Sequence, residues 1–166
     1  CTQQTYKYYN IKMQKKVLTF IILLFLSSCG YDPIHSKKNS ENYNFSISKL
    51  DFTGERDINL KIKEKLNNFT LVEKNKDFTL TITSISKKKI LAKDTSGNTT
   101  NFQNIVIVKV EIFTKGKFKN NLIVEEKFNY KNEPNKFDLQ KYEKEIKNNL
   151  AQIAAEKLIF RLSNIK

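Results

Sequence analysis

The chain has 166 residues and a formal charge of +13, from 30 Lys+Arg against 17 Asp+Glu, and all but Arg56 and Arg161 of those cations are lysines. That is one domain's worth of chain, and a surplus made almost wholly of lysine is only weak support for a reader of nucleic acid, which leans on the planar guanidinium fork. A single His (His35), two Cys (Cys1, Cys29) and four scattered Gly exclude a zinc cluster, a His-dependent triad and a glycine-rich phosphate loop.

Nothing in this composition favours an enzyme, and no catalytic residue, metal ligand or cofactor is expected. The chain also holds 19 Asn and 18 Ile. Excess Lys, Asn and Ile together is what AT-rich coding produces, so part of the positive charge fits a coding habit.

Met13 is the only methionine, so translation is expected to start there, with residues 1–12 upstream or fragment sequence. Lys15 and Lys16 then form a basic n-region, and Val17 to Leu26 (VLTFIILLFL) is strongly apolar. That run is about half the length a bilayer-spanning helix needs, and it fits a signal-peptide h-region. It closes in Leu26-Ser27-Ser28-Cys29, which resembles the bacterial lipobox. The resemblance implies a signal peptide over residues 13–28, cleavage before Cys29, a diacylglyceryl thioether on its sulfur and an acylated new N-terminus. Gly30, in place of Asp, is similar to the sorting signal that sends enterobacterial lipoproteins to the outer membrane. Removal of residues 1–28 takes four lysines (Lys7, Lys12, Lys15, Lys16) and no acid, lowering the charge from +13 to +9.

Residues 29–43 read as the lipidated cysteine and a flexible tether, polar and interrupted by Pro33, in which His35 is a solvated side chain. From residue 44 a single domain is expected. Phe45 and Ile47 alternate in one phase and Leu50 and Phe52 in the other, which predicts a strand with a bulge near Ser48. Ile58, Ile62, Leu66 and Phe69 recur at helical spacing, with Asp57 in the first turn. Phe78, Leu80 and Ile82 alternate with Thr79, Thr81 and Thr83 in a second strand running to about Ala92. Asp94 to Asn98 is a turn. Val106, Val108, Val110 and Ile112 share one face of a third strand, and Gly116 marks the next hairpin. Leu122, Val124, Phe128 and Tyr130 form a fourth strand, broken in pattern at Glu126 and stopped by Pro134.

The last segment carries the strongest periodicity. Leu139, Tyr142, Ile146, Leu150, Ile153, Ala154, Leu158, Leu162 and Ile165 follow three-four spacing, with Glu143, Lys144, Glu145 and Lys147 expected on the opposite side. The order β-α-β-β-β-α predicts an α+β two-layer sandwich, in which a four-stranded, mostly antiparallel sheet is covered by two helices.

The lipobox followed by Cys29-Gly30-Tyr31-Asp32-Pro33-Ile34 resembles the opening of the LPS-assembly lipoprotein family, LptE. The similarity continues through the strand Phe78-Thr79-Leu80-Thr81-Ile82, the Val-rich returning strand Ile105 to Val110 and the alanine-containing helix Asp138 to Ile165 around Ala151, Ala154 and Ala155. What the resemblance implies is a non-catalytic protein, lipid-anchored on the periplasmic side of the outer membrane. Its partners would be an LptD-type β-barrel, which it helps to assemble and plugs, and lipopolysaccharide on its way to the cell surface.

Lys87, Lys88, Lys89 and Lys93 are the candidate lipopolysaccharide-binding residues, because ammonium groups on a rigid strand suit the diffuse phosphates of lipid A. The same four also fit a solvated strand end. Lys115, Lys117 and Lys119 form a second, weaker cluster. Thr79, Thr81 and Thr83 lie on the face expected to meet the barrel. Two other classes stay open: an unrelated periplasmic lipoprotein acting as an adaptor or assembly factor, and a basic nucleic-acid-binding domain, which palmitate labelling at Cys29 would dispose of.

Overall fold

The computed structural model describes residues 43–70 and 73–165; Met13, the signal segment, Cys29 and the tether up to residue 42 lie outside the described residues. The elements are β1 (Ser46–Gly54), α1 (Arg56–Leu66), a short 3-10 turn (Asn67–Phe69), β2 (Asp77–Lys93), β3 (Thr99–Thr114), β4 (Lys117–Lys131) and α2 (Lys136–Ser163). They make the expected α+β fold. The sheet order is β1-β2-β3-β4, with β1 parallel to β2 and the other pairs antiparallel.

Period-two alternation sends one set of side chains to the helices. The register pairs Leu80 with Ile112, Ile82 with Val110 and Ser84 with Val108, and Val108 with Val124 on the next strand. All of these are buried. On β1 the predicted bulge is present, since Ile47 pairs with Phe78 but Lys49 already pairs with Thr79. That extra residue turns Leu50 and Phe52 onto the same face as Ile47, resolving the phase change in the sequence. Above this face lie Ile58, Ile62 and Leu66 of α1 and Ile146, Leu150, Ala154, Leu158 and Leu162 of α2. Each buried Ile or Leu contributes about 1.5–3 kcal/mol.

The chain crosses from β1 to α1 at Gly54, which has φ +90°. A Cβ there would stand 2.0 Å from the Ser84 carbonyl oxygen, so only glycine fits. Lys115 (φ 52°) and Gly116 (φ 74°) form a two-residue turn between Thr114 and Lys117, the mirror-image turn whose twist matches adjoining strands.

Three expectations for α2 differ from the structure. The helix starts two residues before Asp138, at Lys136, because the Asn135 side chain accepts a 2.9 Å hydrogen bond from the Phe137 amide and caps it. Tyr142 and Ile153 are 40% and 41% exposed, while Ala151, Ala155 and Ile159 are buried; α2 packs on β3, β4 and α1 at once, so its buried arc does not follow the expected stripe. Glu143 and Lys147 turn inward, drawn by polar partners on the sheet and at the start of α1. The third strand begins at Thr99, well before Ile105, because its polar opening still pairs with the end of β2.

Candidate functional site

β1 ends opposite Ser84, whereas β2, β3 and β4 run on to a distal end formed by the Asp94–Asn98 turn. In this extension the helix-facing residues of β2 are Ser86 and Lys88, opposite Val106 and Asn104. Polar groups there need partners, since burying them unpaired is costly. Glu55, just before α1, accepts from both the amide and the hydroxyl of Ser86 and from Lys147 of α2 at 3.2 Å. Burial pushes the Glu55 carboxyl up, but the Ser86 hydrogen bonds and the Lys147 ammonium outweigh it and hold it below its ordinary value.

Further along, Glu143 of α2 accepts from the Tyr130 hydroxyl at 2.8 Å and pairs with Lys88. The Asn104 side-chain oxygen lies 3.2 Å from the same hydroxyl. Burial, then the Glu143 carboxylate, raises the Tyr130 phenol well above its ordinary range. Lys88 also stands 3.8 Å from the centroid of the Phe102 ring, an attractive placement of cation over aromatic face.

Strand alternation thus divides the four candidate lysines. Lys88 points to the helices and is occupied by Glu143 and Phe102. Lys87 and Lys89 point to the other face, opposite Ile105 and Gln103. Glu125 shares that face: its carboxyl is held below the usual range first by a hydrogen bond from Lys127 and then by the charges of Lys127, Lys89 and Lys87. Lys93 ends β2 and is exposed. Among the described residues, Lys87, Lys89 and Lys93 make no ion pair within 4 Å. They are therefore open to an external anion, while Lys88 is not.

Thr79, Thr81 and Thr83 also lie on the face away from the helices, beside Lys49, Asp51 and Thr53 of β1 and Lys109, Glu111 and Phe113 of β3. Thr53 and Thr83 join hydroxyls at 2.8 Å. This face is polar with apolar insertions at Ile85, Ile105, Ile107 and Ile123, of which Ile105 is buried. No described element covers it.

The distal end exposes apolar residues, among them Phe128 of the fourth-strand pattern and Tyr142 of the expected helix stripe. Ile90, Leu91, Phe128, Phe137 and Tyr142 are all solvent-exposed there, and an open recess of about 540 Å³ is lined by Leu91, Asn101, Asn129, Tyr130, Lys131, Glu133 and Tyr142. The adjacent pair Ile90-Leu91 was the available signal of this exposure, because two consecutive apolar residues in a strand must face opposite sides. No group of three His, Cys, Asp or Glu able to hold a metal occurs among the described residues. No helix among them is long and apolar enough to cross a membrane.

No family model matches the sequence, and no curated protein matches it. Solved structures do. The chain is similar to rare lipoprotein B from Shewanella oneidensis, with 15% identity and a TM-score of 0.51 over 70% of this chain and 97% of that one. A minor lipoprotein from Acinetobacter baumannii gives 14% identity and a TM-score of 0.57, over 73% and 91%. Lipoprotein B from Nitrosomonas europaea gives 13% and 0.54, over 69% and 81%. At such identities the likeness is one of fold.

Proposed function

We propose that the chain is an LptE-type lipoprotein, anchored through Cys29 on the periplasmic side of the outer membrane. There it assists assembly of an LptD-type β-barrel, plugs its lumen and aids passage of lipopolysaccharide to the cell surface. It holds and guides rather than catalyses, and it uses no cofactor. The observation that carries this reading is the β-α-β-β-β-α fold, shared with rare lipoprotein B over nearly all of that protein's length. The lipobox ending at Cys29 agrees with it independently.

In this reading the uncovered sheet face, through Thr79, Thr81 and Thr83, meets the polar wall of the barrel lumen. Lys87, Lys89 and Lys93 meet lipid phosphates, next to apolar side chains at Ile90 and Leu91 that suit acyl chains. Lys88 positions α2 instead. Contacts between exposed ammonium groups and phosphates weaken within a few tenths molar salt, as the screening length drops well below about 8 Å.

Two experiments test this. Lys87→Glu, Lys89→Glu and Lys93→Glu combined should weaken lipopolysaccharide binding severalfold at low salt while the thermal transition stays in place. Unchanged binding by the folded triple variant would reject the lysines as the lipid contact. Metabolic labelling with palmitate should mark the protein and be lost in Cys29→Ser; absence of label on the parent chain would remove the anchor.

A further inference from the structure

The two lysine clusters lie at opposite ends of the sheet. β1 starts beside the start of β2, with Ser46 paired to Asp77, and β2 there runs against the end of β3, with Thr79 paired to Phe113. The β3–β4 hairpin is therefore at the end where the described chain begins. Tyr43 is fixed at that end by ring contacts of 6.1 Å to Phe45 and 5.8 Å to Phe69. The Asp94–Asn98 turn is at the other end, and the 16 residues of β3 put about 50 Å between the two.

The hairpin places a lysine at two of its irregular positions. Lys115 takes the left-handed conformation at the tip (φ 52°), a placement that favours Gly or Asn, in a chain with 19 Asn to offer. Lys119 is the bulged residue, because Asn120 pairs with Ile112 while Phe118 pairs with Phe113. Lys117 stands between them. None of the three makes an ion pair among the described residues. Beside them Phe118 is 60% exposed, its ring edge-on to Phe113 at 5.8 Å. An exposed ring flanked by unpaired lysines is the composition that sits at a lipid–water interface, with the ring among headgroups and ammonium groups on phosphates.

We infer that the β3–β4 hairpin, through Lys115, Lys117, Lys119 and Phe118, docks on the anionic phospholipid surface of the membrane that carries the anchor. This rests on the lipid-anchored part of the proposed function, not on the barrel. The segment between Cys29 and Tyr43 cannot span more than about 50 Å even when fully extended. It joins the domain at the hairpin end, which is therefore the end nearer the anchor along the chain, while the Lys87–Lys93 end lies about 50 Å farther along the sheet. Docking would orient the sheet with its distal lysines pointing away from the anchor leaflet.

The chain has no tryptophan, so one substitution makes a site-specific probe. The full lipidated chain carrying Phe118→Trp, or Phe137→Trp at the distal end, is reconstituted in vesicles of phosphatidylethanolamine and phosphatidylglycerol with brominated acyl chains. Emission from Phe118→Trp should shift to the blue and be quenched severalfold more than that from Phe137→Trp. The difference should shrink on adding salt, in vesicles of phosphatidylcholine alone, and in the background Lys115→Gln, Lys117→Gln, Lys119→Gln. Vesicle flotation with no extra quenching at position 118, or with stronger quenching at 137, would overturn the docking alone. Failure of both proteins to float would overturn the anchor, and the docking with it.

Discussion

The proximal and distal halves of the sheet offer the helices different chemistry on the same face. From Ile47 to Ser84 the contact is apolar and interlocked, with Ile58, Ile62, Leu80, Ile82, Val110, Leu158 and Leu162 all buried. Beyond Ser84, β1 is gone and hydrogen-bonded polar groups take over: Glu55 with Ser86 and Lys147, Glu143 with Tyr130 and Lys88. Glu126 extends the pattern to β4, only 12% exposed and held by Lys157. The apolar half supplies cohesion without direction. The polar half supplies direction, since a hydrogen bond between α2 and a long strand is satisfied in one register only.

The comparison can be broken most strongly in the apolar half. Ile82→Ala empties a fully buried position at the centre of the sheet and should cost about 3 kcal/mol, read as a lower midpoint in urea with an unchanged slope. A loss well under 1 kcal/mol would mean that the core is looser than its packing indicates.

Tyr130→Phe comes next, at about 1 kcal/mol near neutral pH, by removing the hydrogen bond to Glu143. Its sign with pH is fixed. The folded phenol is raised above its ordinary value of 10.0, so the contribution is complete below that value and is lost as pH rises past it. The parent should therefore lose its advantage over Tyr130→Phe between pH 10 and stronger alkali; a constant difference would show that the phenol is not held protonated by the fold.

The smallest effect is at Glu55, whose folded carboxyl lies below its ordinary value of 4.5. Its contribution is present above that value and disappears as pH falls through the lowered one. Glu55→Gln should flatten the acid limb of the stability curve and leave the alkaline limb alone. An unchanged acid limb would remove Glu55 from the polar half.

The same division governs what could be read from the residues. The apolar half was legible: period-two runs at Phe78–Ile82 and Val106–Ile112, helical spacing at Ile58–Leu66 and the phase slip at Ser48 give the strands, α1 and the bulge. The polar half was not. Glu143 and Lys147 look like solvent-facing charges on a helix, and Glu126 looks like a break in a strand, because their partners lie far away in sequence. The lysine run was legible as charge. Its division was not: alternation places Lys87 and Lys89 opposite Lys88, but only the inward carboxylate of Glu143 makes Lys88 a positioning residue.

The central claim is that this fold serves as the plug of an outer-membrane barrel, and affinity purification from gently solubilised outer membranes tests it most directly. The lipidated chain should come out in stable, stoichiometric complex with an LptD-type β-barrel, and its depletion should lower the amount of correctly assembled barrel. Recovery of the folded lipoprotein without any outer-membrane β-barrel, with barrel assembly unaffected by its loss, would contradict the account and leave an unrelated periplasmic adaptor on the same scaffold.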